Sequence, residues 1–241
     1  MKTQITSKAK GISKIKALLA FLILLILEIT DVQAQQFHAG LYGGVNVTNV
    51  DGTSPAGTIG SFHKFGFTFG SYVNTILTEN NILQMEIGYS QKGYLNEPND
   101  VYPNNYSQLN LNYIETALLL RHHIHFNLRN KPRDKFSLEG GASIGKLIYN
   151  SYSIQRTLYP INLNTTDISP FVGIAYNYSP NLWMEFRYYN SLTPVIKRDA
   201  TNDTYFLYYG SWDRGNNLVF QFKLKITIMG RESTVINKVT K

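Results

Sequence analysis

Three stretches of this chain alternate apolar and polar residues with a period of two, a pattern that fits only an extended strand with unlike faces. Between Ile82 and Gly93, Leu83, Met85, Ile87 and Tyr89 share one face while Gln84, Glu86, Gly88 and Ser90 share the other. In Leu182 to Tyr189, Leu182, Met184, Phe186 and Tyr188 oppose Trp183, Glu185, Arg187 and Tyr189. The longest example spans Asn217 to Ile228, where Leu218, Phe220, Phe222, Leu224, Ile226 and Ile228 oppose Val219, Gln221, Lys223, Lys225 and Thr227. Two architectures share such strands: a membrane barrel with the apolar face outward, and a soluble barrel or sandwich with that face inward.

The connections choose between them. From Phe37 onward eight segments are strand-like: Phe37 to Val47, Lys64 to Leu77, Ile82 to Tyr94, Leu109 to Leu128, Lys135 to Tyr149, Ile168 to Tyr178, Leu182 to Val195 and Asn217 to Met229. The links between them alternate long and short, with the short ones at Thr78 to Asn81, Arg129 to Asp134 and Ser179 to Asn181. All short turns therefore fall at one end, as in transmembrane barrels, whereas a soluble up-and-down barrel has no general reason for this asymmetry. Their residues suit tight turns: Glu79-Asn80-Asn81, Asn130 with Lys131-Pro132, and Ser179-Pro180-Asn181.

Composition agrees. Only 16% of residues are charged and 13% are aromatic, where soluble domains carry roughly 25% charged residues. Phe37, Phe65, Phe67, Tyr94, Tyr113, Phe136, Tyr149, Phe171, Tyr178 and Tyr188 lie near strand ends and are expected to form interfacial girdles. The absence of cysteine excludes a disulfide scaffold, a thiolate metal site, a cysteine nucleophile and a lipid-modified amino-terminal cysteine. One strand is irregular: the apolar phase runs through Leu109, Leu111 and Tyr113, then switches to Ile114, Leu118, Leu120, Ile124, Phe126 and Leu128. Either a bulge near Tyr113 or a strand that projects beyond the membrane before the switch explains it.

The first residues are basic, then apolar from Ala17 to Leu27, then Val32-Gln33-Ala34 at the spacing a signal peptidase accepts. Spanning a bilayer needs roughly 20 apolar residues, and this run is interrupted by Glu28, so export is expected rather than a membrane anchor. Cleavage is expected after Ala34. Five lysines against Glu28 and Asp31 place three of the +7 net charges in this segment, leaving +4 scattered over the remainder and no nucleic-acid footprint. The predicted fold class is all-β: residues 1–34 are a signal peptide, and residues 35–241 form one eight-stranded antiparallel transmembrane β-barrel of the outer-membrane type.

At Gly88-Tyr89-Ser90-Gln91-Lys92-Gly93, Leu111-Asn112-Tyr113-Ile114-Glu115 and Leu118-Leu119-Leu120-Arg121, the chain resembles the PorT-like outer-membrane β-barrel family of Bacteroidetes. Gly43-Gly44-Val45-Asn46 and Leu138-Glu139-Gly140-Gly141 extend the resemblance across the chain beyond the leader, while Ala117 stands where the family often has proline. The chain continues past its last strand, so Phe220 and Phe222 are the residues expected to serve as an assembly signal. The resemblance implies the outer membrane of a Gram-negative bacterium. Its namesake's link to protein secretion implies an accessory role in secretion as one function.

Candidate chemistry is sparse. Gly140-Gly141-Ala142-Ser143-Ile144-Gly145-Lys146 approaches a phosphate-binding loop, but Leu147 replaces the magnesium-holding hydroxyl and strand follows. The glycines are expected instead to let strands and lumen side chains approach closely. His122, His123 and His125 raise a metal site; without a matched third ligand, His123 and His125 are assigned to the lumen and His122 to the outside. Glu86, Glu115, Glu139 and Glu185 are expected to neutralise Arg121, Arg187, Lys223 or Lys225 inside a narrow barrel rather than act as acid and base. The sequons at Asn46, Asn105, Asn164, Asn177 and Asn202 carry no weight in a bacterial protein. No catalytic, cofactor-binding or metal-ligating residue is nominated, and the chain is not expected to be an enzyme.

The functional expectation is a structural or binding barrel with a plugged lumen, both termini in the periplasm and long loops outside. Bulky polar-face residues (Tyr42, Tyr72, Trp183, Tyr189) argue against a small porin-like channel, and a lipid-modifying enzyme ranks third because no triad spacing is present. The long loops carry Tyr102, Asn104, Asn105 and Tyr106, Tyr152 and Tyr159, and Tyr205, Tyr208, Tyr209 and Trp212, which suits contact with partners. The expected partners are outer-membrane lipid, the barrel-assembly machinery and other envelope or secretion proteins.

Overall fold

The computed structural model describes residues 37–50, 64–98, 106–124, 127–128, 131–132, 135–196 and 215–230. The expected signal peptide, His125, the turn around Asn130 and most of the loop aromatics lie outside the described residues.

Eight long strands alternate up and down: β1 (Phe37–Val50), β2 (Lys64–Thr78), β3 (Asn81–Asn96), β4 (Ser107–Ile124), β5 (Phe136–Ile154), β6 (Thr166–Ser179), β7 (Leu182–Pro194) and β8 (Asn216–Met229). Each pairs antiparallel with its neighbours in the chain, and β1 pairs with β8 from Ala39↔Met229 to Val50↔Asn217, which closes the ring. Closure matters in a bilayer, because an open sheet edge would leave backbone groups unpaired in hydrocarbon. Two tight turns, at Glu79-Asn80 and Pro180-Asn181, lie at the same end of the ring. At that end the described part of β4 reaches Ile124, and Asn127–Leu128 pairs with Lys131–Pro132. At the opposite end β5 runs on to Ile154, turns through Gln155 and Arg156, and pairs with Thr157–Tyr159.

The barrel is inside-out relative to a soluble protein. Leu41, Phe67, Met85, Ile87, Leu118, Leu138, Val172, Ile174, Phe222, Leu224 and Ile226 are exposed on its outer wall, a continuous apolar surface far larger than water tolerates on a monomer. Glu86, Glu139, Glu185, Arg121, Arg187, Lys223 and Lys225 are buried inside. The outer wall therefore faces lipid.

Two expectations about aromatic and irregular positions change. Tyr94, Tyr113 and Phe171 do not join a girdle: all three are buried, because their strand phase points them into the barrel. Phe37, Phe65, Phe67, Phe136, Tyr149 and Tyr178 are exposed outside as expected, and the half-buried Tyr188 packs against Phe220 with ring centroids 5.1 Å apart. The irregularity near Tyr113 belongs to the neighbouring strand: Asn112 pairs with Tyr149 and Tyr113 with Leu147, leaving Ile148 as the extra residue of a bulge in β5. Through β4 itself the phase is unbroken, with Leu109, Leu111, Tyr113, Ala117, Leu119, Arg121 and His123 all buried. What switches is the chemistry of both faces: up to Tyr113 the inward side is apolar and the outward Gln108, Asn110 and Asn112 are polar, whereas from Ile114 on the outward side is apolar and Arg121 and His123 enter the lumen.

Glycine is required where Tyr42 crosses the inner wall. A Cβ at Gly70 would lie 2.6 Å from the Tyr42 hydroxyl, and one at Gly88 2.2 Å from it. Gly140, by contrast, has open space where its Cβ would be, while Gly141 and Gly145 sit against β4 residues, so the glycine-rich stretch is a strand that its neighbours approach closely.

Candidate functional site

The strand phase delivers ionisable side chains from β3, β4, β5, β7 and β8 to the middle of the lumen, where water is excluded and each charge needs a partner. Arg187 is the hub. Its Nη1 and Nη2 donate to Glu86 Oε2 and Oε1 at 2.9 and 2.8 Å, its Nε donates to Glu139 Oε2 at 2.7 Å, and Nη2 also donates to Glu185 Oε2 at 2.8 Å. β3 and β7 stand four places apart in the ring of eight, so the Arg187–Glu86 fork spans the full width of the barrel. Arg121 completes the other side, donating from Nε to Glu139 Oε1 at 2.8 Å and from Nη2 to Glu185 Oε1 at 2.5 Å. Lys223 Nζ reaches Glu86 at 2.8 Å and Glu185 at 3.4 Å, and Lys225 Nζ donates to Gln84 Oε1 at 2.7 Å with Glu185 at 3.5 Å.

Aromatic faces hold the cations from behind. Arg121 lies 4.6 Å from the Trp183 ring, Arg187 4.8 Å from Phe171, Lys223 4.5 Å from Tyr42 and Lys225 4.2 Å from Tyr72. Such contacts strengthen where the cation is desolvated. Tyr189 extends the network, donating to Gln221 Oε1 at 3.1 Å, and Gln221 donates in turn to Asn46 Oδ1 at 2.9 Å.

Glu115 departs from the expected pairing. It meets none of Arg121, Arg187, Lys223 or Lys225; its partner is Lys92, whose Nζ is 2.5 Å from Glu115 and 2.8 Å from Asp167. Asp167 also accepts from Ser169 at 3.2 Å, from Asn217 at 3.3 Å and from Ser191. Lys92 is not among the cations expected inside, yet it sits on the same polar phase as Glu86, and that phase is the signal in the sequence that places it in the lumen.

Beyond this second cluster an apolar group fills much of the lumen. Val50, Tyr94, Leu109, Leu111, Tyr113, Leu163 and Val195 form a buried core, with Leu147, Tyr152, Ile161 and Ile196 packed on it. Leu163 and Ile196 form a β-bridge, Asn164 N donates to Val195 O at 2.8 Å, and Asn164 Nδ2 donates to Pro194 O at 2.6 Å. Residues of two connections are thus tied together over the long-loop mouth.

At the short-turn end His123 is buried and its Nδ1 lies 2.9 Å from Ser137 Oγ, while His122 is exposed and meets Asn81 Oδ1 at 2.9 Å. The two rings point to opposite sides of the wall. Among the described residues no three metal-ligating side chains come together.

A model of the outer membrane protein beta-barrel domain matches residues 33–197. The chain belongs to that family. Its place is the outer membrane of a Gram-negative envelope. Among solved structures, the barrel is similar to Ail, the attachment invasion locus protein of Yersinia pestis, at 12% identity and a TM-score of 0.44, covering 80% of this chain and 99% of that one. It is similar to Neisserial surface protein A at 12% identity and a TM-score of 0.42, covering 81% and 100%. Outer membrane protein OprG from Pseudomonas aeruginosa aligns at 9% identity and a TM-score of 0.34, covering 80% and 94%. No curated protein matches the sequence.

Proposed function

We propose that this barrel is a non-conducting structural or binding protein of the outer membrane, its lumen plugged by paired charges and its long loops turned to the cell exterior. The observation that carries the reading is the Arg187–Glu86 fork between opposite strands, which occupies the path an ion would take. An eight-stranded barrel is only wide enough for its interior side chains to fill. In this reading the short turns, the start of β1 and the end of β8 face the periplasm, as in barrels of this class. No catalytic role is assigned: each carboxylate of the central cluster is engaged by a cation, which leaves none poised to exchange a proton with a substrate.

Among outer-membrane barrels we place the chain with the PorT-like proteins, as an accessory to protein secretion, on the strand motifs around Gly88 and Leu118. Refolded protein in a planar bilayer is expected to give no large stable conductance, and a pull-down from outer membranes is expected to recover an envelope partner. Deleting Pro98 to Ser107 or Asp203 to Trp212 should lose that partner while the barrel still assembles. A large steady conductance in the intact protein would sink the plugged-lumen reading; a partner retained by both deletions would sink the loop-binding one.

A further inference from the structure

The outward faces of β4 and β5 change chemistry in a fixed order toward the long-loop end. On β4 the outward residues run Leu120, Leu118, Thr116 and Ile114, then Asn112, Asn110 and Gln108. On β5 they run Leu138, Gly140, Ala142 and Ile144, then Lys146, then the bulge at Ile148 and Tyr149, then Ser151 and Ser153. Apolar wall gives way to one exposed cation and a tyrosine, and these give way to amides and hydroxyls.

The polar zone is ordered. Tyr106 donates to Gln108 Oε1 at 3.2 Å, Gln108 Nε2 donates to Asn110 Oδ1 at 3.2 Å, and Asn110 Nδ2 donates to Ser151 Oγ at 2.9 Å. Lys64 is buried against the same ladder, donating to Asn110 Oδ1 at 2.5 Å. Below it, Lys146 is exposed and its Nζ donates to Thr165 Oγ1 at 3.0 Å. β4 and β5 have 18 and 19 residues, against 13 in β7 and 14 in β8. A transmembrane strand needs only about 9–11, so the extra length of β4 and β5 carries this zone beyond the apolar belt.

We propose that this face docks a phosphorylated, sugar-headed lipid of the outer leaflet. The lipid's acyl chains lie on the Leu118–Ile144 wall, a phosphate sits at Lys146, and saccharide hydroxyls meet the Tyr149, Asn112 and Gln108 zone. The occupant follows from continuity: the polar zone is the upward extension of the surface that already faces lipid, so what stands beside it is that lipid's headgroup. Side-chain amides both donate and accept, as sugar hydroxyls do, and tyrosine rings offer an apolar face with a polar rim. Lys146, exposed on the outward row of β5 just above the apolar wall, suits a phosphate at the base of the headgroup, and Arg156 is exposed in the turn beyond it.

The proposal rests on the long-loop end facing outward. Because the chain has no cysteine, Leu158→Cys, at an exposed site on that end, tests orientation separately with a membrane-impermeant maleimide on intact cells. Labelling is expected; protection would overturn both the orientation and the proposal. Docking is read by native mass spectrometry of the full protein with three probes: rough lipopolysaccharide carrying core sugars, the same material stripped of its phosphates, and phosphatidylglycerol. Wild-type protein should retain the intact lipopolysaccharide in preference to both others. Lys146→Gln should weaken that retention about three- to five-fold, the scale of one exposed charge pair, and Asn112→Leu should weaken it without changing phosphatidylglycerol binding. Leu224→Ala, on the far wall, should change nothing and controls for folding. Equal retention of phosphatidylglycerol and lipopolysaccharide, or no effect of Lys146→Gln and Asn112→Leu in folded barrels, overturns the docking surface while leaving the plugged-lumen reading intact.

Discussion

The charged middle of the lumen and its apolar mouth fill the same narrow tube by opposite means. In the middle, three carboxylates (Glu86, Glu139, Glu185) face four cations (Arg121, Arg187, Lys223, Lys225), and each is placed by directional bonds to specific partners. At the mouth, Val50, Leu109, Leu111, Leu163 and Val195 meet through shape alone. The difference is one of tolerance. A buried ion network is costly to break at one member because the others are left unpaired, yet contributes little over a well-packed apolar substitute. An apolar cluster loses roughly what is removed, plus the cavity left behind.

The sharpest test of that contrast removes the hub. Arg187→Gln should destabilise the refolded barrel by on the order of 3–5 kcal/mol, read from the midpoint of urea unfolding in lipid vesicles; an unchanged midpoint would refute the network. Adding Glu86→Gln to that variant should cost less than the two single changes summed, and full additivity would show that the two groups do not interact. Leu109→Ala at the mouth should cost less, about 2–3 kcal/mol. A loss at Leu109 equal to that at Arg187 would erase the distinction between the two regions.

Smaller effects test the wall. Gly88→Ala would press a methyl against the Tyr42 hydroxyl and the Phe69 carbonyl, and should cost about 1–3 kcal/mol as an overpacking change. Pairing it with Tyr42→Phe, which removes that hydroxyl, should recover part of the loss; no recovery would place the strain in the backbone instead. Ile226→Val on the lipid face removes one methylene from contact with lipid rather than from the lumen, and should fall below about 0.8 kcal/mol. A larger value at Ile226 would mean that this position packs against protein.

Much of this was legible residue by residue. The eight strands, their outward rows and the single end that holds the tight turns follow from local patterns, and β8 runs Asn216–Met229 where alternation alone puts Asn217 to Met229. Glu86, Glu139, Glu185, Arg121, Arg187, Lys223 and Lys225 all entered the lumen on phase. The misses share a cause. Tyr94, Tyr113 and Phe171 lie near strand ends, a position that by itself suits a girdle, but the upper lumen also takes apolar rings and Phe171 backs a guanidinium. A hydrophobic residue on an inward phase cannot be distinguished from a phase slip until the neighbouring strand is seen, and the slip proved to be in β5 at Ile148.

By itself the sequence determined which side of each strand meets lipid, because a period of two is set within one strand by the pleat and needs no knowledge of its neighbours. Only the tertiary structure decided which charges meet. Arg187 and Glu86 lie 101 residues apart and are joined across the tube rather than along a ladder, while Glu115 turns from the central cations to Lys92. Those choices depend on the stagger of eight strands around a closed ring and on the reach of each side chain over the lumen, quantities that exist only once the ring has closed.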